Sequence, residues 1–377
     1  MHGAARSPTL RAMTTRTPRY GRMLSDFEVG ATYAHPWDVT LDGGTIALFQ
    51  GAFQDASPTY ASRAYAEALG FRDRPVHPLL LLNLGLSFSV HDVSEQAIAH
   101  LAYLDVRFPS ACYPNDTVTA QSRVLGVKPA SSGDRGVVHV RTTLTQQDGR
   151  PVCVFERKAL VRAGVLEGRP ADAAITAPAE PSADQPRLPE ALRALPTPPK
   201  RPAGFGGLFE DFAVGDVVLH QLGKTVGDSE HMMLTSLVRN SHPLHFDEHY
   251  AKVEKQSFQG TRVVYGGLVF AWMIALASRD VAGNVVWELG FDDGAHPNGV
   301  LAGDTLYAAS KVLAVEERDV HWGSVTFRLV GTKNARPDTL LANGRDLFGA
   351  ELAKKDKEQK VAEKVFEITR TVLMRRR

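Results

Sequence analysis

The sequence predicts an α+β protein made of two copies of one unit, each with a long buried helix wrapped by an antiparallel sheet. The chain has 377 residues, of which 44% are hydrophobic, and this exceeds what one small core needs. A stretch rich in proline and alanine divides the chain, and the same landmarks recur in the same order on both sides of it. We therefore expect two domains with two hydrophobic cores.

Composition divides the chain into four segments. Residues 1–23, with five arginines and no acidic residue, are expected to form a disordered N-terminal extension. Residues 24–164 form the first unit and residues 208–377 the second. The linker between them, residues 165–207, carries nine prolines from Pro170 to Pro202 and too little apolar surface to order itself.

The repeat is carried by five short landmarks. They pair as follows: 26–30 with 211–215, 57–60 with 242–245, 75–80 with 263–268, 115–118 with 303–306, and 154–156 with 365–367. The offset between copies runs from 185 to 188 and widens to 211 at the last landmark. We therefore expect an insertion late in the second unit, at the Lys- and Glu-rich residues 345–364.

Each unit contains one continuously apolar stretch followed by alternating segments. Residues 78–88 and 268–277 are apolar on every side, which indicates helices buried all round. Pro78 suits the first position of such a helix. Residues 305–314 and 324–331 alternate between apolar and polar side chains, which predicts strands.

Charge and cysteine content exclude several classes of protein. The 43 Lys and Arg residues nearly cancel the 42 Asp and Glu residues, so no broad basic field exists to bind nucleic acid. No apolar run reaches the roughly 20 residues of a membrane-spanning helix. Cys112 and Cys153 are too few for a disulfide framework, and we expect a cytoplasmic protein.

Three motifs in the second unit carry a resemblance to a known family. Residues 240–245 read Asn-Ser-His-Pro-Leu-His, residues 264–267 read Val-Tyr-Gly-Gly, and residues 302–305 read Ala-Gly-Asp-Thr. Together they resemble the MaoC-like hydratase/dehydratase superfamily, and within it the double-hotdog mesaconyl-CoA hydratases, also called β-methylmalyl-CoA dehydratases. The resemblance implies a tandem double-hotdog fold and an acyl-CoA thioester as the binding partner.

The superfamily's hydratase motif runs Asp, any residue, Asn, Pro, an aliphatic residue and His. The second unit keeps the histidine as His245 and has Asn240 in place of the aspartate. The first unit keeps the aspartate as Asp55 but has Tyr60 where the histidine belongs. The resemblance therefore implies an active site centred on His245, with Asp55 as an alternative acid or base or as a turn residue.

Hydration of an enoyl thioester requires a base for water, a proton for the α-carbon and donors for the negative thioester oxygen. His245 can exchange protons near neutral pH, and Asn240 can orient water or hold the carbonyl. Gly266 and Gly267 open the apolar helix with free N–H groups. Pro78 has no N–H at the matching position in the first unit, so we expect the second unit to react and the first to complete the acyl-CoA tunnel.

Further residues are candidates for substrate binding. Tyr265 is either a hydrogen-bond donor or a packed aromatic. The family resemblance suggests a short, branched dicarboxylyl-CoA such as mesaconyl-CoA, whose extra carboxylate favours a nearby cation. Arg239 and Arg262 are the cations adjacent in sequence to the motifs.

Metal binding is disfavoured by the sequence. His242, His245 and His249 have the spacing of one helix face, but Pro243 interrupts that helix and no cysteine completes a ligand set. We expect no metal and no redox cofactor, since CoA is part of the substrate.

The sequence thus predicts a hydro-lyase acting on an enoyl-CoA. A non-catalytic acyl-CoA-binding protein remains an alternative, because the aspartate and the histidine of the usual pair are split between the two units. A thioesterase is a further alternative, because hotdog folds host that chemistry too. A monomeric pseudo-dimer and a homodimer are both compatible with the repeat. No nucleic-acid or membrane partner is expected.

Overall fold

A computed structural model describes residues 15–18, 20–164, 175–176, 187–199, 207–253 and 260–377. The expected disorder of residues 1–14, and of most of the linker, lies outside the described residues. Among the described residues, the ordered chain begins before residue 24, because Arg22 forms an ion pair with Asp92 and the Tyr20 carbonyl accepts a hydrogen bond from Gln96. The first unit therefore extends a few residues further toward the N-terminus than composition predicts.

The first unit contains four helices followed by a meander of strands, with one strand ahead of them. Its elements are β1 (Thr32–Thr40), α1 (Gly43–Phe53), α2 (Pro58–Ala61), α3 (Arg63–Ala68), α4 (Pro78–Phe88), β2 (Ala97–Arg107), β3 (Thr117–Pro129), β4 (Arg135–Gln146) and β5 (Pro151–Arg162). Two short elements of the linker follow, β6 (Ile175–Thr176) and α5 (Glu190–Arg193).

The second unit repeats this order. Its elements are β7 (Val217–Leu219), β8 (Lys224–Thr225), α6 (Asp228–Leu237), α7 (Glu248–Val253), α8 (Gly266–Val281), β9 (Val285–Ala295), β10 (Thr305–Glu317), β11 (Trp322–Lys333), α9 (Pro337–Ala342) and β12 (Lys364–Arg375). Among the described residues, no helix has the length and apolarity to cross a membrane.

All the strands among the described residues belong to one antiparallel sheet that runs through both units. Its order is β1-β3-β4-β5-β2-β9-β12-β11-β10-β7, with β6 added beside β3 and β8 beside β10. The units join where β2 pairs with β9, Tyr103 facing Gly294 and Val106 facing Phe291. With the offset of 188 residues, Phe291 is the equivalent of Tyr103 and Gly294 is the equivalent of Val106. The two pairs are therefore equivalent to each other, and a pseudo-twofold axis relates the units at this junction.

The strand register corrects the alignment of the last landmark. On β5, Arg157 pairs with Tyr103 of β2, whereas on β12 Arg370 pairs with Phe291 of β9. Since Phe291 is the equivalent of Tyr103, Arg370 is the equivalent of Arg157 and the true offset is 213. The offset of 211, which matched 154–156 with 365–367, is wrong by two residues. Side chains return to the same face of a strand every two residues, so the similar sequences still match in their inward and outward positions.

The two long helices confirm the prediction from apolarity. Every residue of α4 is buried, and α8 extends the predicted apolar stretch at both ends. The helices meet across the pseudo-twofold axis, where Asn83 Nδ2 of α4 donates to the Gly267 carbonyl at 3.2 Å. A Cβ on Gly267 would lie 2.1 Å from Asn83 Oδ1, so only glycine permits this approach.

The expectation of two separate cores is wrong. The main hydrophobic cluster includes α4, α8 and strands of both units, from Leu41 to Met374. Two smaller clusters lie at the periphery, one around Val138 and one around Val330. The units share a core because the sheet of each unit covers only one side of its buried helix. The other side of each helix packs against the helix of the other unit.

The late insertion lies between β11 and β12, at residues 334–363, and so begins earlier than the predicted 345–364. It contains α9 and covers a small cluster that includes Leu340, Leu347 and Val361.

The described part of the linker also packs on the second unit, since Trp322 Nε1 donates to the Pro196 carbonyl at 2.7 Å. Proline-rich composition did not indicate this docking, which uses side chains of the sheet.

Candidate active site

One cavity lies at the junction of the two units. Its volume is about 140 Å³, and residues of β2 and β5 line it from the first unit. The second unit contributes the loop before α7 and the first turn of α8. The exposed residues Ile98 and Ala99 mark its mouth. The cavity can accept a short acyl group, and both units are needed to form it.

His245 lies in this cavity on a short 3-10 turn, Pro243–His245. Its Nδ1 is 2.7 Å from the carbonyl oxygen of Val263, so Nδ1 carries the proton and donates it. Nε2 is then unprotonated, and no described residue donates a hydrogen bond to it. Burial, with a smaller contribution from nearby His242, lowers the pKa of His245 to about 3, against the opposing effect of the Val263 carbonyl. The neutral ring can therefore accept a proton at Nε2.

Asn240 lines the same cavity and holds the loop in place. Its Oδ1 accepts a hydrogen bond from the backbone N–H of His242 at 3.0 Å, which leaves Nδ2 as the donor. Asp55 makes the same turn in the first unit, where its Oδ1 accepts from the Ser57 N–H at 2.8 Å. The two side chains are thus structural equivalents, and the pairing inferred from the motif is correct.

His242 shapes the loop instead of supplying a base. Its Nδ1 accepts a hydrogen bond from the Leu244 N–H at 3.2 Å and caps the turn that carries His245. Burial lowers the pKa of His242 to about 4, against a carbonyl contact with Glu95. A neutral His242 keeps the cap and adds no positive charge beside His245.

The start of α8 presents two N–H groups that have no acceptor. Neither Gly266 nor Gly267 donates its N–H to another described residue. A Cβ on Gly266 would lie 2.9 Å from His296 Nε2, so the glycine keeps this wall of the cavity open. In α4 the corresponding positions are closed, because Pro78 has no N–H and the Leu79 N–H is bound to His77 Nδ1 at 3.1 Å.

Tyr265, the residue before α8, packs its ring on His245 with the centroids 5.4 Å apart. Its hydroxyl is buried without a hydrogen-bond partner among the described residues. Burial raises the pKa of Tyr265 to about 12, although the nearby Ser87 and Asn240 side chains and Arg157 oppose this shift. The hydroxyl therefore remains protonated and available as a donor.

Four further polar side chains that sequence reasoning missed line the cavity, three from the first unit and one from the second. Three of them, His100, Tyr103 and His296, form an aromatic wall in which Tyr103 Oη and His296 Nε2 are 3.2 Å apart. His296 follows directly after the end of β9 in the second unit, and the other two come from β2. Burial lowers the pKa of His296 to about 4 and that of His100 well below its usual range. Both rings are therefore neutral.

The fourth missed residue is Arg157 of β5, which is only 4% exposed. Its Nη2 donates to the Ser89 hydroxyl at 2.8 Å and reaches the Ser94 hydroxyl at 3.4 Å. Its Nε has no partner among the described residues. A signal was present in the sequence, because strand alternation puts Arg157 on the inward face between Phe155 and Ala159.

The chain is similar to proteins of one known family. A family model described as mesaconyl-CoA hydratase matches residues 7–340. The chain belongs to the mesaconyl-CoA hydratase family. A mesaconyl-CoA hydratase from Cereibacter sphaeroides is 33% identical over 321 residues, which cover 83% of this chain and 90% of the relative. A β-methylmalyl-CoA dehydratase from Chloroflexus aurantiacus is 31% identical over 328 residues, which cover 83% and 89%. The predicted hydro-lyase class is thereby confirmed.

Solved structures confirm the double-hotdog fold of this mesaconyl-CoA hydratase family member. A structure from Chloroflexus aurantiacus, described as a MaoC domain protein dehydratase, matches with a TM-score of 0.79 and 28% identity, covering 96% of this chain and 100% of the other. A protein from Mycobacterium tuberculosis, described as having a double hotdog fold, matches with a TM-score of 0.68 and 20% identity, covering 94% and 98%. The second match supports the fold alone.

The two arginines expected to bind substrate do not line the cavity of this family member. Arg262 binds both Asp228 and Glu248 at 3.0 Å, so it ties α6 to α7. Arg239 is exposed and holds a left-handed backbone conformation with φ of 64°. Proximity in sequence to the motif was a poor guide, because the cavity wall opposite His245 comes from the other unit.

Asp55 also lies outside the His245 cavity. It is buried in the first unit, with Oδ2 3.7 Å from His77 Nε2. Burial raises its pKa, but His77 and the Ser57 hydrogen bonds outweigh this and lower it to about 2. Tyr60 is buried beside His77 and Trp287, and fills the place that His245 has in the second unit. The expectation of Asp55 as an alternative acid or base for His245 is therefore corrected.

Three histidines in the second unit have a spacing that could suit a metal site. His242 and His245 lie with ring centroids 5.8 Å apart, and His249 is exposed on α7. In the part of the chain that the structure describes, no group of three or more His, Cys, Asp or Glu side chains is placed to hold a metal ion.

Proposed function

We propose that the chain catalyses the reversible addition of water to the double bond of mesaconyl-CoA, giving β-methylmalyl-CoA. The observation that carries this proposal is that one cavity is lined both by His245, whose Nε2 is unprotonated, and by Gly266 of α8, whose N–H has no acceptor among the described residues. The names of the 33% and 31% identical relatives support the choice of substrate.

In the hydration direction, His245 accepts a proton from water while the water oxygen bonds to the β-carbon. The electrons of the double bond move toward the thioester and give an enolate. The imidazolium then returns the proton to the α-carbon, so that the net change is one added water. Because burial holds the His245 pKa near 3, the ring readily gives up the proton that it has taken.

The enolate oxygen needs donors that are already in place. The Gly266 and Gly267 N–H groups lie at the positive end of α8 and have no competing acceptor in the described residues. Asn240 Nδ2 and the Tyr265 hydroxyl are further donors on the same side of the cavity. The first unit lacks this set, since Pro78 and the His77 cap occupy its helix start. One reactive centre per chain follows.

No step of this reaction transfers electrons to a cofactor or requires a Lewis acid, so we propose catalysis by side chains and backbone alone. We also propose a cytoplasmic location, supported by the two buried free cysteines Cys112 and Cys153. One chain provides both hotdog units, so a monomer already contains every residue of the proposed site.

Product analysis tests the proposed reaction. Purified protein is mixed with mesaconyl-CoA, and the acyl-CoA product is followed by mass spectrometry while free thiol is measured with a thiol reagent. Hydration gives a product heavier by one water, with no release of thiol. Release of thiol without hydration would establish a thioesterase, and an unchanged substrate that binds the protein would favour an acyl-CoA-binding role.

A further inference from the structure

Two buried arginines occupy equivalent positions about the pseudo-twofold axis. Arg157 of β5 pairs with Tyr103, and Arg370 of β12 pairs with Phe291, the equivalent of Tyr103. Both arginines point inward, and they are 4% and 1% exposed. The chain therefore contains two versions of one site, and their partners can be compared directly.

Arg370 has a complete partner. Its Nε donates to Glu288 Oε2 at 3.0 Å and its Nη2 donates to Glu288 Oε1 at 2.5 Å, so the carboxylate lies across the guanidinium fork. Glu288 is itself only 2% exposed. This two-point geometry is the arrangement that a guanidinium favours with any carboxylate.

Arg157 lacks the corresponding acid. His100 stands at the position equivalent to Glu288, and both of its ring nitrogens are without hydrogen-bond partners among the described residues. Only the hydroxyls of Ser89 and Ser94 contact the Arg157 guanidinium, and Nε contacts no acceptor in the described part of the chain. Burial lowers the Arg157 pKa to about 10, so the side chain stays charged at neutral pH.

A buried cation without an anion destabilises the folded protein, and charges of this kind cluster at functional sites, where a ligand can pair with them. Arg157 lines the His245 cavity, whereas Arg370 packs with Glu288 and influences Asp55 and Tyr60 in the first unit's filled site. The two arginines thus differ in the one respect that matters here, which is the presence of a carboxylate.

We propose that Arg157 binds the free carboxylate of the acyl group, in the two-point geometry that Glu288 adopts on Arg370. This inference rests on the proposed function and names its specificity residue. In mesaconyl-CoA the free carboxylate is bonded to the β-carbon, the atom that water attacks. Anchoring it on Arg157 therefore holds that carbon in the cavity with His245 and selects dicarboxylyl over simple enoyl thioesters.

A matched pair of substrates tests the kinetic consequence. Tiglyl-CoA has the skeleton of mesaconyl-CoA with a methyl group in place of the carboxylate. We expect Arg157→Gln to lower kcat/KM for mesaconyl-CoA about 10- to 100-fold and to change that for tiglyl-CoA little. Arg157→Lys should recover part of the loss for mesaconyl-CoA. Lys158→Gln removes the neighbouring cation, which lies on the outward face of β5, and should leave kcat/KM unchanged for both substrates. An equal loss for both substrates would overturn the inference.

Binding of unreactive analogues tests the inference without turnover. Methylsuccinyl-CoA and 2-methylbutyryl-CoA are the saturated counterparts of the two substrates. Wild-type protein should bind methylsuccinyl-CoA more tightly in calorimetric titration, and Arg157→Gln should abolish the difference. Inactivity of the wild type on mesaconyl-CoA would refute the proposed function alone, whereas equal binding of both analogues by the wild type would refute the role of Arg157.

Thermal stability separates ligand binding from a structural role. Arg157→Met removes an uncompensated buried charge, so its melting temperature should equal or exceed that of the wild type. Arg370→Met leaves Glu288 buried without its partner and should lower the melting temperature. A loss for Arg157→Met as large as that for Arg370→Met would mean that Arg157 serves the fold, and would contradict the proposal.

Discussion

The Nδ1–H of His245 donates to the carbonyl oxygen of Val263 at 2.7 Å, and this contact fixes the proton on the side of the ring away from Nε2. Val263 lies three residues before α8, so the same short segment orients the base and begins the helix that offers Gly266 and Gly267. Base and N–H donors are therefore positioned by one piece of backbone.

The pH dependence of hydration follows from the state of this ring. Burial lowers the His245 pKa to about 3, so the fraction of neutral ring stays near one from pH 8 down to pH 5.5. We expect kcat/KM for mesaconyl-CoA to be flat over this range. Rates are measured in a series of buffers, with protein held at each pH and re-assayed at pH 7.5 as a control. A decline with an inflection near pH 6.5 would mean that His245 titrates like an exposed histidine.

The buried neutral histidines also predict how stability changes with pH. His242, His245 and His296 have pKa values of about 4, 3 and 4 in the folded chain, lowered by burial. Above an unfolded-state pKa of roughly 6.5 they are neutral in both states and contribute nothing. Below it the unfolded chain takes up protons first, so each should reduce the unfolding free energy by about 1.4 kcal/mol per pH unit.

Urea unfolding at pH 7.5, 6.5 and 5.5 measures this effect. The loss of stability should be concentrated below pH 6.5. His296→Phe introduces the residue that the first unit has at the equivalent position, Phe108. This variant should lose less unfolding free energy as the pH falls, by the contribution of one histidine. Asp55, with its pKa lowered to about 2, loses its contribution only below pH 4 and does not affect this window. An unfolding free energy that does not fall between pH 6.5 and 5.5 would contradict burial of these rings.

Gly266→Ala tests the close wall of the cavity. The added methyl group would lie 2.9 Å from His296 Nε2, so it must displace that ring or narrow the cavity. We expect kcat/KM to fall about 10- to 100-fold because the substrate is misplaced. Gly43→Ala is the matched control, since Gly43 also begins a helix but has no atom within 4 Å of its Cβ position. Steady-state rates of both variants and their melting temperatures decide the outcome, and an undiminished rate for Gly266→Ala would contradict the proposed contact.

Much of the fold could be predicted from local pattern. The predicted start of the apolar helix at Pro78 is the observed start of α4, because proline suits the first turn and His77 caps it. The repeat predicted two equivalent units, and the motif at 240–245 led to the cavity. These features depend on residues that are close in sequence, where spacing alone indicates geometry.

The remaining parts of the site depend on the pairing of the two units. Arg157 and Tyr103 reach the His245 cavity only because β2 joins β9, and no spacing within the sequence indicates that junction. Proximity in sequence favoured Arg239 and Arg262 instead. The one available signal for Arg157 was an inward arginine on an otherwise apolar strand face. This signal indicates a binding site only because His100 stands where the second unit has a carboxylate.

The central claim is hydration at His245, and the most direct test follows the absorbance of the conjugated thioester of mesaconyl-CoA with three proteins. Wild type and His249→Gln, which changes an exposed histidine four residues away, should remove the absorbance at similar rates. His245→Gln should do so about 10²- to 10⁴-fold more slowly, with an unchanged melting profile at neutral pH. A His245→Gln protein that hydrates mesaconyl-CoA at the wild-type rate would contradict the account.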